Sequence, residues 1–91
     1  MYIKVKSFGD FLVSRPEGRD AALVLRHQFL DKHQATSLEL DFEGVNLLTP
    51  SWIDEFLQEA VKTIPKNKIT FVNSEQNSSV QLSLETVMPT L

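Results

Sequence analysis

Two hydroxyls and a run of acidic residues sit together in one short stretch, Thr49-Pro50-Ser51-Trp52-Ile53-Asp54-Glu55, continued by Gln58 and Glu59. A threonine ahead of a helix can cap first-turn amides, and a proline next to it suits the first helical position, where its missing N–H is not needed. Leu48 and Ile53 are spaced to close over such a start as a hydrophobic staple. These roles are structural and need no function. The same stretch can also do chemistry of recognition. Free amides and the positive end of a helix attract anions. A hydroxyl there, once phosphorylated, gains about 1.5–2 negative charges and alters any surface docked on it. Ser51 and Thr49 are the candidate phosphoacceptors. Asp54 and Glu55 are neighbours on a helix and point about 100° apart, which suits a solvated face or an acidic recognition surface better than paired acid–base work. Arg15, Arg19 and Arg26 supply a basic counterpart in the same chain or for a partner.

Other chemistry is not supported. His27 and His33 are six apart with no cysteine and no histidine partner four residues away, so neither zinc ligation nor a nucleophile–histidine–acid triad can be assembled. Three scattered glycines make no phosphate loop. No catalytic residue, cofactor or metal is expected, and the chain is read as a non-enzyme. Twelve acidic against nine basic residues give a net charge of −3, which leaves no positive footprint for nucleic acid. The absence of cysteine excludes a disulfide scaffold. No apolar run approaches the roughly 20 residues of a membrane helix, and the first residues lack the apolar core of a signal peptide. A soluble, cytoplasmic domain is the expectation.

The elements that would hold this stretch follow from periodicity. Ninety-one residues fit one domain, 1–91, and a hydrophobic fraction of 42% is enough for a packed core. Residues 2–8 and 11–13 read as a hairpin, with Ile3 and Val5 inward and Gly9 suited to a type II′ turn. Ser14 and Glu17 form a capping box for a helix from Arg15 to Asp31 or Lys32, with Pro16 in its first turn. Ala22, Leu25, Phe29 and Lys32 share a stripe that Ala21, Leu23 and Leu30 widen. Gly18 is read as tolerated near a helix end, with close approach to a neighbouring helix or a partner as the alternative. Ser37 to Phe42 is a strand. Glu43 to Asn46 turns, and Leu47-Leu48 is a brief apolar run. The second helix spans Pro50 to Ile64 and buries Trp52, Ile53, Phe56, Leu57, Ala60, Val61 and Ile64. Trp52 is by type a core residue, but its place in the first turn leaves it half exposed on this reading, a natural interface anchor. Pro65 stops the helix. Lys68 to Val72 is a further strand, and a last helix from Glu75 or Asn77 to Met88 buries Val80, Leu84 and Val87 or Met88. The order β-β-α-β-α-β-α predicts an α/β fold: a small mixed, mostly parallel sheet of about four strands with three helices, packed on one face or split with a partner.

Several of these residues resemble a known pattern. Leu40-Asp41-Phe42-Glu43-Gly44-Val45 resembles the central strand and turn of STAS domains, the sulfate-transporter and anti-sigma-factor-antagonist family. Leu47-Leu48 matches the apolar pair that follows, and Thr49-Pro50-Ser51-Trp52 replaces that family's Asp-Ser-Ser-Gly helix opening. With Leu12-Val13-Ser14-Arg15 and Trp52-Ile53-Asp54-Glu55-Phe56, the chain is more closely similar to the bacterial STAS-like domain of unknown function family, over nearly its whole length. The resemblance implies a regulatory domain whose first opening serine is phosphorylated by a partner kinase. Pro50 stands at that position and cannot be phosphorylated.

The expected function is therefore a non-enzymatic regulatory module. It docks a kinase-type ATPase, an anti-sigma-like factor or another signalling protein through Thr49, Pro50, Ser51, Trp52, Asp54, Glu55, Gln58 and Glu59. The alternative is a small-ligand or anion sensor at the same helix start. Self-association through the hairpin edge would make a homo-oligomer.

Overall fold

Leu38 and Leu40 face one side of an extended segment and Glu39 and Asp41 the other, and in the computed structural model, which describes residues 1–91, this segment is the central strand of a parallel sheet. The strands are β1 (Tyr2–Lys4), β2 (Phe11–Leu12), β3 (Leu38–Asp41), β4 (Leu47–Leu48) and β5 (Ile69–Val72), and the helices are α1 (Arg15–Val24), α2 (Pro50–Ala60) and α3 (Ser78–Val87). One sheet has the order β1-β3-β5, parallel throughout, with Ile3 opposite Leu40 and Leu40 opposite Phe71. A second, two-stranded sheet pairs β2 with β4, also parallel, with Phe11 opposite Leu47 and Leu12 opposite Leu48.

Five strands in two sheets replace the expected four, and the sheets are wholly parallel where a mixed one was expected. The hairpin over residues 2–13 does not form. Val5–Phe8 winds into a 3-10 turn instead, and Gly9 at φ +139° redirects the chain. Hydrophobic burial explains the difference. Val5 is fully buried, and the Phe8 ring lies 5.4 Å from Phe56 and 6.3 Å from Trp52, so this segment is drawn under α2 and away from its sequence neighbour. Freed from β1, β2 pairs with Leu47-Leu48, whose two residues were too few to show a strand period. The far side of β4 is closed by α3: the Leu48 amide donates to Ser79 Oγ at 3.1 Å, and Ser83 Oγ donates to the Leu48 carbonyl at 2.9 Å.

Ser14 caps α1 by accepting from the Glu17 amide at 3.3 Å, but the reciprocal bond from the Glu17 side chain is absent, so only half of the capping box forms. After Val24 the helix continues as wider π-helical turns over Leu25–Asp31. Wider turns shift the buried stripe, so Leu30 is fully buried, Phe29 only half-buried, and Leu23 and Lys32 exposed. Ile3, Leu38, Leu40 and Ile69 are buried on the sheet face that the helices cover, while Tyr2, Lys4, Glu39 and Thr70 are exposed on the other. A parallel sheet ordinarily has both faces covered. Here the outer face carries polar side chains in place of a second helical layer.

Helix α2 is the centre of the core. Trp52 stacks on Phe56 with ring centroids 4.9 Å apart, and Ile53, Leu57, Ala60 and Ile64 are fully buried. Trp52 is only 1% exposed, so it holds the core together and is no interface anchor. Gly18 makes the α1–α2 contact close enough for this. A methyl group at Gly18 would stand 2.4 Å from the Trp52 carbonyl oxygen and 2.9 Å from its Cα. Close approach to the neighbouring helix, and not tolerance near a helix end, is the reason for this glycine.

Candidate functional site

The start of α2 is built by one side chain. Thr49 Oγ1 accepts from the Trp52 amide at 3.4 Å and donates to the Val13 carbonyl at 2.6 Å, while the Thr49 amide donates to the Leu12 carbonyl at 3.0 Å. The hydroxyl thus caps the helix and ties it to the end of β2 in one step. Pro50 is exposed beside it. The Ile53 amide is taken by the Thr49 carbonyl at 3.3 Å, which leaves the Ser51 amide as the one first-turn N–H without a partner in the chain. The Ser51 hydroxyl is half-buried and makes no hydrogen bond within the chain.

The acidic residues further along α2 are held by α1, by the π-helical turns that continue it and by Lys62. Arg15 Nη1 meets Asp54 Oδ2 at 2.8 Å and Glu55 Oε1 at 3.3 Å. Arg26 Nη1 meets Glu59 Oε2 at 3.0 Å, and Lys62 Nζ meets Glu59 Oε1 at 2.9 Å. The Arg15 guanidinium holds the Asp54 carboxyl below the usual carboxylate range, against the opposing effect of burial. Lys62 does the same for Glu59, with Arg26 adding to it. In turn Asp54, and then Glu55, hold the Arg15 proton more tightly. Asp54, Glu55 and Glu59 are therefore half-buried members of ion pairs, and only Gln58 among these positions is fully exposed. The surface is closer to neutral than the run of carboxylates suggests.

Apolar residues take over at the mouth of the helix. Phe11 is 64% exposed, Val13 44% and Leu47 38%. Phe11 and Leu47 are paired across β2 and β4, and Val13 is the residue whose carbonyl Thr49 holds. Three large apolar side chains thus flank Thr49, Pro50 and Ser51. They escaped the sequence reading, although a signal was there. In the consecutive apolar pairs Phe11-Leu12 and Leu47-Leu48, alternation in a strand must send one member outward. No groove of the molecule is lined by residues of 49–59.

A second polar cluster lies at the carboxyl end of β3. Asp41 is buried and accepts from the Tyr2 hydroxyl, from Asn73 Nδ2 at 2.8 Å and from the Glu43 amide at 3.0 Å. The Tyr2 hydroxyl first, then Asn73 and the Glu43 amide, hold the Asp41 carboxyl below its ordinary value, and the same bond pushes the Tyr2 phenol up to about 12. Three donors, from the start of β1, the residue after β5 and the turn after β3, hold this carboxylate, so it ties the three strands together.

The strand, turn and helix order around Asp41 and Thr49 is the arrangement on which the STAS likeness rests. Residues 20–79 match the sequence model of the STAS-like domain of unknown function (DUF4325). The chain belongs to that family. The match takes in α1 from its second turn, β3, β4, α2, β5 and the start of α3, and so covers the whole candidate site except Phe11, Val13 and Arg15. Neither the curated proteins nor the solved structures offer a match to this STAS-like domain. No helix is long and apolar enough to cross a membrane.

Proposed function

We propose that this STAS-like domain is a non-enzymatic regulatory module that docks a signalling protein through the mouth and exposed side of α2. The single observation that carries the reading is the exposed apolar group Phe11, Val13 and Leu47 around Thr49, Pro50 and Ser51. Contiguous apolar surface next to polar groups is the composition of a protein-docking centre, with aromatic side chains as anchors. Phe11 replaces Trp52 as the anchor. Gln58 and the Arg15–Asp54–Glu55 pairs form the polar rim. The class of partner, a kinase-type ATPase or an anti-sigma-like factor, comes from the family resemblance. Protein docking is favoured over anion sensing because a single free amide at the helix start and the lack of any groove there suit a flat partner better than a small ligand.

Ser51 is the better phosphoacceptor of the two hydroxyls, because that of Thr49 is committed to the cap and to Val13. A phosphate on Ser51 would sit at the positive end of α2, beside the apolar group, and disfavour an apolar partner surface. Capture of binding proteins from the source cells by the immobilised domain tests the reading. A specific partner retained by the wild type is expected to be lost with Phe11→Glu and with Ser51→Glu, but kept with Glu39→Lys on the outer face of the central strand. Retention by all three variants would end the proposal. Incubation of the domain with the captured kinase, followed by mass analysis of the peptide carrying Ser51, tests the switch, and an unmodified peptide removes it.

A further inference from the structure

Strand β5 is the last strand of its sheet, and the side of Ile69–Val72 turned away from β3 makes no hydrogen bond within the chain. Between this edge and α3 runs a groove of about 300 Å³. Its floor is apolar, from Phe71, Leu84 and Met88, and Glu75, Gln81 and Glu85 stand on its walls. Neither Glu75 nor Glu85 belongs to an ion pair, and no basic side chain lines the groove. Glu85 accepts one weak bond, from Gln81 Nε2 at 3.4 Å. Glu75 is held in place by its turn. Asn73 takes the left-handed conformation at φ +59°, donates to Asp41, and accepts from Gln76 at 3.1 Å. An open strand edge, an apolar floor and two carboxylates outside any ion pair therefore lie side by side, and the one ammonium bonded to a floor residue, Lys66 Nζ, is turned to the Met88 carbonyl at 2.7 Å.

We propose that this groove receives an extended basic segment of a partner protein, which adds to β5 as a fourth strand. Main-chain bonds to the open edge would supply affinity and the groove would supply selectivity. Side chains of a strand alternate, so the residues facing the groove are two apart. The segment that fits places an apolar side chain on Phe71, Leu84 and Met88. It places a lysine or arginine two residues away on either side, against Glu75 and Glu85. The net charge of −3 favours the approach of such a segment. None of these residues lies on α2, so this surface is separate from the one at the mouth of that helix.

The probe is the fluorescently labelled peptide Thr-Lys-Thr-Val-Thr-Lys-Thr, titrated into the full chain and followed by anisotropy and by amide chemical shifts. Saturable binding that weakens with salt is expected, with shifts centred on 69–72 and on α3. Joint substitution Glu75→Lys and Glu85→Lys should weaken it about tenfold, the combined effect of two partly exposed ion pairs. The peptide with glutamates in place of its lysines should bind this variant better than the wild type. Both glutamates are exposed, and an unchanged melting transition, with Glu75→Gln and Glu85→Gln as a milder pair, separates recognition from folding. The proposal is overturned by absence of saturable binding, by shifts centred elsewhere, or by equal binding of the lysine and glutamate peptides. Equal binding of a backbone N-methylated peptide would overturn strand addition. Self-association of the wild type that the double substitution abolishes would assign the groove to a second copy of the chain instead.

Discussion

Asp41 shows how much one side chain can settle. As a strand residue facing the uncovered side of a sheet it would ordinarily be solvated, yet it is buried under Tyr2 and Asn73 and its donors stabilise the ionised form. A carboxyl held below its unfolded value contributes stability above the ordinary carboxylate range and loses it as the pH falls through the lowered value. Tyr2 works in the opposite direction. Its phenol is raised from 10.0 to about 12, so its contribution is complete below pH 10.0 and is lost as the pH rises through about 12. Tyr2 is the one tyrosine in the chain, so tyrosinate absorbance reports on it alone. The expected midpoint in the folded protein is about 12, and Asp41→Asn should return it toward 10.0. A titration with the same midpoint in both proteins would show that Asp41 does not hold the phenol.

At the scale of elements, α1 and α2 are joined by two kinds of contact of unequal weight. The ion pairs Arg15–Asp54 and Arg15–Glu55 are exposed on the arginine side, and solvent screening leaves such pairs little net weight. The backbone contact at Gly18 is a packing constraint, and a methyl group there meets main-chain atoms of Trp52 that cannot swing aside. Gly18→Ala is accordingly expected to cost about 1–3 kcal/mol by overpacking, in spite of alanine's better helix propensity. Arg15→Ala should cost clearly less than Gly18→Ala, because solvent screens an exposed pair. Urea denaturation of both variants measures the contrast, and equal costs would refute it. The contrast also bears on function, because Arg15→Ala would uncover Asp54 and Glu55 without loosening the helix pair.

For the whole molecule, one core joins all parts. Its 22 buried apolar residues include members of β1, β2, β3, β4, β5 and the three helices, with Trp52 and Phe56 at the centre. Such a core melts as a unit when no element can leave without uncovering the rest. Trp52, the only tryptophan, is enclosed by Phe8 and Phe56 and reports directly on that core. Its fluorescence and the helical circular dichroism are expected to change with the same urea midpoint. Separate midpoints would mean that α2 and the sheet unfold independently. The open outer face of the sheet and the open edge of β5 do not weaken this unity, because the buried apolar side chains of β1, β3 and β5 lie on the other face.

By itself the sequence determined the local elements around the candidate site. Alternation placed β3, the threonine and proline placed the start of α2, and helical spacing placed its buried face, because each depends on a few neighbouring residues. The family too was legible, in Leu40 to Val45 and the second helix. Tertiary structure alone decided which strands pair, because β2 and β4 are two residues each and their partnership joins segments about 36 positions apart. It also decided the character of the site. Arg15 and Arg26 come from another helix to quench its acids, and Trp52 turns inward because Gly18 lets α1 close over it. What remains exposed at the mouth of α2 is therefore apolar, a property set by long-range packing and not by the residues of the helix start.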